Sequence, residues 1–223
     1  MYIHIRKKLM SMKRDEKLAE KYARLFCRSM KSAGYEDTSF FDRYKSKYIE
    51  YTASESFREY SQYKTMSTDK VYAAIVHAKV CEENGISVKD ALYVWETYSA
   101  KNIRRSIRAL CRVSDLLPNG YKIVSGWLYK DAQERIAENC LTYEMLDYSD
   151  SKLEYNITRC AYADLFERYG IREFCKSFCN NDLCMSVMHR KARFIRHSDL
   201  IDGELCHDEI INRRMNNENG KRV

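Results

Sequence analysis

Up to about residue 139 the apolar positions recur near every 3.6 residues, and from Leu141 the period drops towards 2. Leu18, Tyr22, Leu25, Phe26, Ser29 and Met30 form one stripe, which predicts a helix over 13–33 stopped by Gly34. Residues 38–64 carry Phe40, Phe41, Tyr44, Tyr48 and Tyr51, then Phe57, Tyr60 and Tyr63, at helical spacing. They read as one or two helices whose aromatic stripe serves packing. Val71, Ile75, Ala78 and Cys81 share a face of a helix over 68–84, capped by Ser67 or Thr68 and ended by Gly85. His77 has no second ligand at i+4, which points to a structural histidine. Ser87-Val88-Lys89-Asp90 is an acidic form of the capping box. The helix it opens carries Leu92, Trp95, Tyr98, Ile103, Ile107 and Leu110, with a break near Ser99 and a solvated face of Arg104, Arg105, Arg108 and Arg112. Pro118-Asn119-Gly120 breaks the chain, and a further helix is placed between Lys130 and Asn139.

Beyond it, Leu141–Leu146 and Leu153–Ile157 alternate around the turn residues Tyr148-Ser149-Asp150-Ser151, the pattern of a β-hairpin. Its second strand ends at Thr158-Arg159-Cys160 and leads into a short helix, Ala161 to Tyr169, stopped by Gly170. A helical region from Ile171 to His189 is interrupted near Asn180-Asn181-Asp182. Two strands, Ala192–Leu200 and Glu204–Ile210, then join through Asp202-Gly203. The fold class is α+β: helices from about 13 to 139 packed on a small antiparallel sheet with strands near 141–147, 153–159, 192–200 and 204–211. The expected organisation is a helical segment over 1–65, an α+β domain over 66–211 and a polar tail over 212–223. The helix up to about Gly34 is expected to pack on that domain or on a second subunit.

Composition narrows the function classes. Thirty-nine basic residues stand against 32 acidic ones, a net +7, and no run of five like charges occurs. No recognised nucleic-acid motif accompanies that charge, so nucleic acid is not an expected partner. No apolar run approaches the roughly 20 residues that span a bilayer, and the first residues lack the pattern of a signal peptide. The cytoplasm is the expected compartment, where nine cysteines are mainly thiols and serve by default as small buried hydrophobes. An odd count argues against a disulfide framework.

The stretch Leu153–Ile210 is dense in chemistry, with five of the nine cysteines and three of the five histidines. Cys175 and Cys184 lie in a helical pattern and read as core. Cys160, Cys179, Cys206, His207 and Asp182 include ligand types that suit zinc, yet the spacings match no zinc signature and no CxxC occurs. Arg159 and Arg196 sit on alternating strands, where they face either solvent or a bound carboxylate. Two further classes stand beside an enzyme. One is a small-molecule-binding or sensor domain, which would keep an apolar pocket and scatter these groups. The other is a helical interaction protein, for which the aromatic segment 40–63 would have to be exposed.

The order of short motifs resembles one family, the L-2-amino-thiazoline-4-carboxylic acid hydrolases. Thr158-Arg159-Cys160 closes a strand, Tyr162-Ala163-Asp164 opens the helix, and Tyr169-Gly170 stops it. Cys179 and Asp182 form a Cys-x-x-Asp, and Arg196, Gly203 and Cys206 fall on the closing strands and turn. The resemblance is best over about 143–210 and fades before residue 70. The chain departs from it after Cys206, where His207-Asp208 replaces an Asp followed by an aromatic. The resemblance implies hydrolysis of a cyclic amidine-like carbon with opening of a C–S bond, giving a carbamoyl-cysteine; the residues themselves lead to an expectation of no cofactor and no metal. It implies Cys160 or Cys179 as nucleophile, with Asp182 as base or orienter of water. Arg159 or Arg196 would hold the substrate carboxylate, and Cys206 and His207 would line the site. The expected partner is a small-molecule substrate, and a homo-oligomer is compatible with this reading. A thiolate at Cys160 would be favoured by the start of the helix that follows it.

Overall fold

Helices fill the first part of the chain and an antiparallel sheet stands in the last third, the α+β class expected from the change of period. The structure is a computed structural model. It describes residues 2–99, 101–179 and 190–215, with side chains over 14–98, 108–109, 111–179 and 190–215. By packing the chain divides into two units, Met1–Ala100 and Lys101–Val223. That division falls inside the segment 66–211.

The first unit holds α1 (Tyr2–Ser32), α2 (Phe40–Thr52), α3 (Glu55–Tyr60), α4 (Thr68–Glu83) and α5 (Val88–Val94). The last of these runs into a single π turn, Trp95–Ser99, where the sequence suggested a break. Gly34 takes φ +88° after α1, and the Tyr35 N–H donates back to the Met30 carbonyl at 2.9 Å, closing the helix end. Ser87 caps α5, its hydroxyl oxygen accepting from the Asp90 N–H at 3.1 Å. Helix α4 is buried from Val71 to Ala78 on every side, so the one apolar face read from the sequence understates it. The aromatic stripe of 40–63 is core: Phe40, Tyr44, Tyr48 and Tyr60 are buried, and Phe26 stacks on Tyr44 with centroids 4.9 Å apart. The Tyr44 hydroxyl donates to the Ala73 carbonyl at 2.8 Å, which makes a buried phenol compatible with an apolar core. The exposed aromatic patch needed for an interaction protein is therefore not present in this segment.

The second unit begins with α6 (Lys101–Leu116) and α7 (Gly120–Ala137). Helix α7 starts well before Lys130, so the sequence placed its beginning too late. Gly120 reads as part of a breaker, yet it stands at the first position of the helix, where a Cβ would lie 2.5 Å from the Ser114 carbonyl oxygen. Four strands follow, β1 (Leu141–Tyr148), β2 (Lys152–Cys160), β3 (Ala192–Ser198) and β4 (Cys206–Asn212), in the order β1-β2-β4-β3 and antiparallel throughout. Between β2 and β3 stand α8 (Ala161–Arg168), a 3-10 turn at Arg172–Phe174, and a helix whose described part is 175–179.

Strand alternation sorts the sheet into two faces. Leu153 and Tyr155 of β2, Ala192 and Phe194 of β3 and Ile210 of β4 pack with Tyr121 of α7 as one core. Cys206 and Asp208 continue that inward face of β4. His207 and Glu209 point to the other side.

His77 sits in the middle of the first unit, 1% exposed, with Phe26 and Trp95 edge-on to its ring. Its Nε2 lies 2.9 Å from the Ala91 carbonyl oxygen. A carbonyl only accepts, so Nε2 carries a hydrogen. Burial pushes its pKa down to about 4, against which the Ala91 bond acts only in part. The unfolded chain takes up this proton near pH 6.5, so the stabilising contribution is full above about 6.5 and is lost as pH falls towards 4. Urea unfolding should therefore show a loss of about 2 kcal/mol between about pH 7 and pH 5 from this residue alone. His77→Phe should remove that part of the slope, and an unchanged slope would show that another group titrates.

Candidate functional site

Cys160 is the last residue of β2 and the residue before α8, so the strand's end and the helix's start fix its position together. Cys206 opens β4 on the inward face, and the Leu200 N–H donates to its sulfur at 3.3 Å. Cys175 and Cys179 stand one helical turn apart on the described part of the helix that follows the 3-10 turn, with sulfurs 3.9 Å apart. That segment is tied to the loop between β3 and β4: Arg172 donates to the Leu200 carbonyl and Lys176 pairs with Asp202. In the loop, Asp199 accepts from the N–H groups of Ile201 and Asp202 at 2.9 and 3.0 Å, a local turn that carries the chain back to Cys206. The result is four thiols from three places in the chain, Cys160 at the end of β2, Cys175 and Cys179 on one helical turn and Cys206 at the start of β4, within range of one another's charge.

Burial and the neighbouring sulfurs favour the protonated form of three of these thiols, Cys160, Cys175 and Cys206. Burial pushes Cys160 up to about 12, beyond the opposite pull of the Ala163 N–H, and the neighbouring Cys179 adds to the rise. Burial likewise takes Cys206 to about 11, against the pull of the Leu200 N–H. Cys175 lies well above the ordinary thiol value, first through its bond with Cys179 and then through burial. The expectation of a resting thiolate at the head of α8 is thus corrected: the helix start does act on Cys160, but desolvation wins.

Behind the thiols lies a buried ion pair. Arg196 Nε donates to Asp208 Oδ1 at 2.8 Å and Nη2 to Oδ2 at 3.0 Å, a two-pronged contact across the β3–β4 rung. The two side chains are 10% and 3% exposed. The third arm of the guanidinium, Nη1, donates to the Cys179 carbonyl at 3.3 Å. Burial raises the Asp208 carboxyl above its usual range more than Arg196 lowers it.

The residues singled out from sequence are therefore divided by the fold. Cys160, Cys179 and Cys206 come together, and Cys175, which read as core, joins them. Arg196 adjoins the group, held by Asp208. Arg159 precedes Cys160 on the strand and so projects the other way. It pairs with Asp164 at 3.1 Å and donates to the Asn139 carbonyl at 2.9 Å. His207 faces away from Cys206, on the outer side of the sheet, bonded to Glu154 at 2.9 Å, with its ring tilted against that of His197 at a centroid distance of 4.6 Å. It cannot line the same wall as Cys206. The residue that does is Asp208, which the sequence reading passed over although period-2 alternation from Cys206 points to it. Asp182 and Cys184 lie outside the described residues. Among the described residues no group of three or more His, Cys, Asp or Glu is arranged to hold a metal ion, and no helix is long and apolar enough to cross a membrane.

Removing one member of a buried pair leaves the other charged and desolvated. Asp208→Asn should cost about 3 kcal/mol in urea unfolding. The double replacement Arg196→Met with Asp208→Leu should cost clearly less, because it leaves no orphaned charge. Equal losses would show that the pair is not desolvated as a unit.

Comparison with known proteins adds one finding. No curated protein and no solved structure matches the chain. A family model described as L-2-amino-thiazoline-4-carboxylic acid hydrolase matches residues 63–208, the C-terminal two thirds of the chain. The match begins after α1–α3, takes in all four clustered cysteines and ends on Asp208. With the segment that builds the thiol cluster matched throughout, the chain belongs to the L-2-amino-thiazoline-4-carboxylic acid hydrolase family.

Proposed function

We propose that this protein is a hydrolase that opens a small heterocyclic acid at a carbon bonded to both sulfur and nitrogen. The substrate is of the L-2-amino-thiazoline-4-carboxylate type and the product is a carbamoyl-cysteine. The observation that carries this reading is the convergence of Cys160, Cys175, Cys179 and Cys206 beside a buried Arg–Asp pair, inside the segment the family model matches. A sensor would be served by an apolar pocket, whereas gathered thiols suit attack on a soft, amidine-like carbon.

In this reading Cys160 or Cys179 adds to the ring carbon and gives up its proton. The ring C–S bond breaks, and the departing sulfur takes a proton to become a free thiol. Water then adds to the same carbon; one of its protons leaves with the enzyme sulfur as a thiol, the other ends on the former imine nitrogen, and the carbon keeps the water oxygen as a carbonyl. Both halves exchange one carbon–sulfur or carbon–oxygen bond for another and need no oxidant. Because the Cys160 and Cys206 thiols are neutral at rest, the proton must leave as the bond forms, which requires a base. Asp182 fills that role here. Arg196 is committed to Asp208, and Arg159 projects away from Cys160 and pairs with Asp164, so a substrate carboxylate would meet a cation here only by opening one of these pairs.

The test is turnover of L-2-amino-thiazoline-4-carboxylate, followed by chromatography of the carbamoyl-cysteine formed. The wild-type chain should convert it, and Ser at the attacking cysteine should slow it on the order of 10²-fold or more. Turnover that survives Ser at both Cys160 and Cys179 would replace thiol attack by direct attack of water activated by Asp182. Absence of product from the wild-type protein would remove this substrate.

A further inference from the structure

The two cysteines of the helical turn are unequal. Cys175 is 1% exposed and packed beneath the turn, while Cys179 keeps solvent access. Their sulfurs are 3.9 Å apart, within hydrogen-bonding reach for sulfur. A thiol is a weak donor to a neutral acceptor but a much better one to a thiolate, because the bond becomes charge-assisted. Cys175 cannot reach a substrate, so anything it contributes passes through Cys179. The backbone at Cys179 is also fixed, since its carbonyl accepts from Arg196 at 3.3 Å and Arg196 is locked by Asp208. Cys160 and Cys206 are placed differently, with backbone N–H groups rather than a second thiol as their nearest donors.

Building on the hydrolase reading, we infer that Cys179 is the attacking thiol and that Cys175 is its positioning residue, donating its S–H to the Cys179 sulfur as that sulfur becomes a thiolate. Cys175 keeps its proton throughout; the proton that leaves is that of Cys179. The Arg196–Asp208 pair holds the turn so that the two sulfurs stay in contact. The arrangement supplies negative-charge stabilisation at the moment the nucleophile forms.

The pH dependence of alkylation tests this without any substrate, so its outcome is separable from the presence or absence of turnover. The native full-length protein is treated with iodoacetamide across a pH series, and each cysteine is followed by peptide mass mapping. In the wild type, Cys179 should be modified ahead of Cys160, Cys175 and Cys206. Cys175→Ala should raise the midpoint of Cys179 modification by about one pH unit. Cys175→Ser, which keeps a donor, should leave it at or below the wild-type value. The inference is overturned if Cys160 is modified ahead of Cys179, or if the midpoint does not move in Cys175→Ala. If the alanine variant does not fold, the serine variant decides: a midpoint at or below wild type supports the donor role, and a raised one contradicts it.

Discussion

The buried pair of Arg196 and Asp208 is the constraint on which the second unit depends. Two charges removed from water are costly unless their geometry is good, and here both prongs of the guanidinium meet both carboxylate oxygens. The pair also specifies register. A slip of one residue along β4 would put Asp208 on the outer face beside Glu154 and leave Arg196 without its partner in the interior. Fixing Asp208 inward fixes Cys206 inward, two residues earlier on the same strand. The remaining arm of Arg196 then reaches the Cys179 carbonyl and ties the helical turn 175–179 to the sheet. One side chain therefore sets where two of the four thiols stand.

That placement gathers sulfurs of which three, Cys160, Cys175 and Cys206, are held towards the neutral thiol. Backbone N–H groups at Cys160 and Cys206 pull towards the thiolate, but burial and the other sulfurs push harder, and their pKa values rise to about 12 and about 11. A neutral site tolerates close sulfurs that would repel one another if charged. It also means that reactivity must be created when a substrate arrives, by a base and by a donor placed for the charged form. Cys175 at 3.9 Å from Cys179 is such a donor.

Much of the fold was legible because single residues carried unambiguous signals. Gly34, Gly85 and Gly170 all take positive φ where the sequence placed helix ends, and the change of period at Leu141 located the sheet. The late start given to α7 came from treating Gly120 as a breaker, when its bareness instead serves the close approach to Ser114. In the site, the clustering of Cys160, Cys179 and Cys206 followed from the order of motifs. Asp208 and Cys175 were also within reach of the pattern: one lies two residues from Cys206 on a strand, the other four residues from Cys179 on a helix. The partners of Arg159 and Arg196 were not. Choosing Asp164 for one and Asp208 for the other depends on which strands lie side by side, and that is a property of the pairing rather than of either residue's neighbours in sequence.

The central claim is that ring opening passes through a bond between the substrate carbon and a clustered cysteine. Mixing the protein with L-2-amino-thiazoline-4-carboxylate, quenching in acid within one turnover and mapping the peptides by mass tests it most directly. Addition with ring opening expels no fragment, so the account predicts an increment equal to the whole substrate on the peptide carrying Cys179, rising and then falling as product appears. Product formed at full rate with no increment on any of Cys160, Cys175, Cys179 or Cys206 at any time point would contradict it.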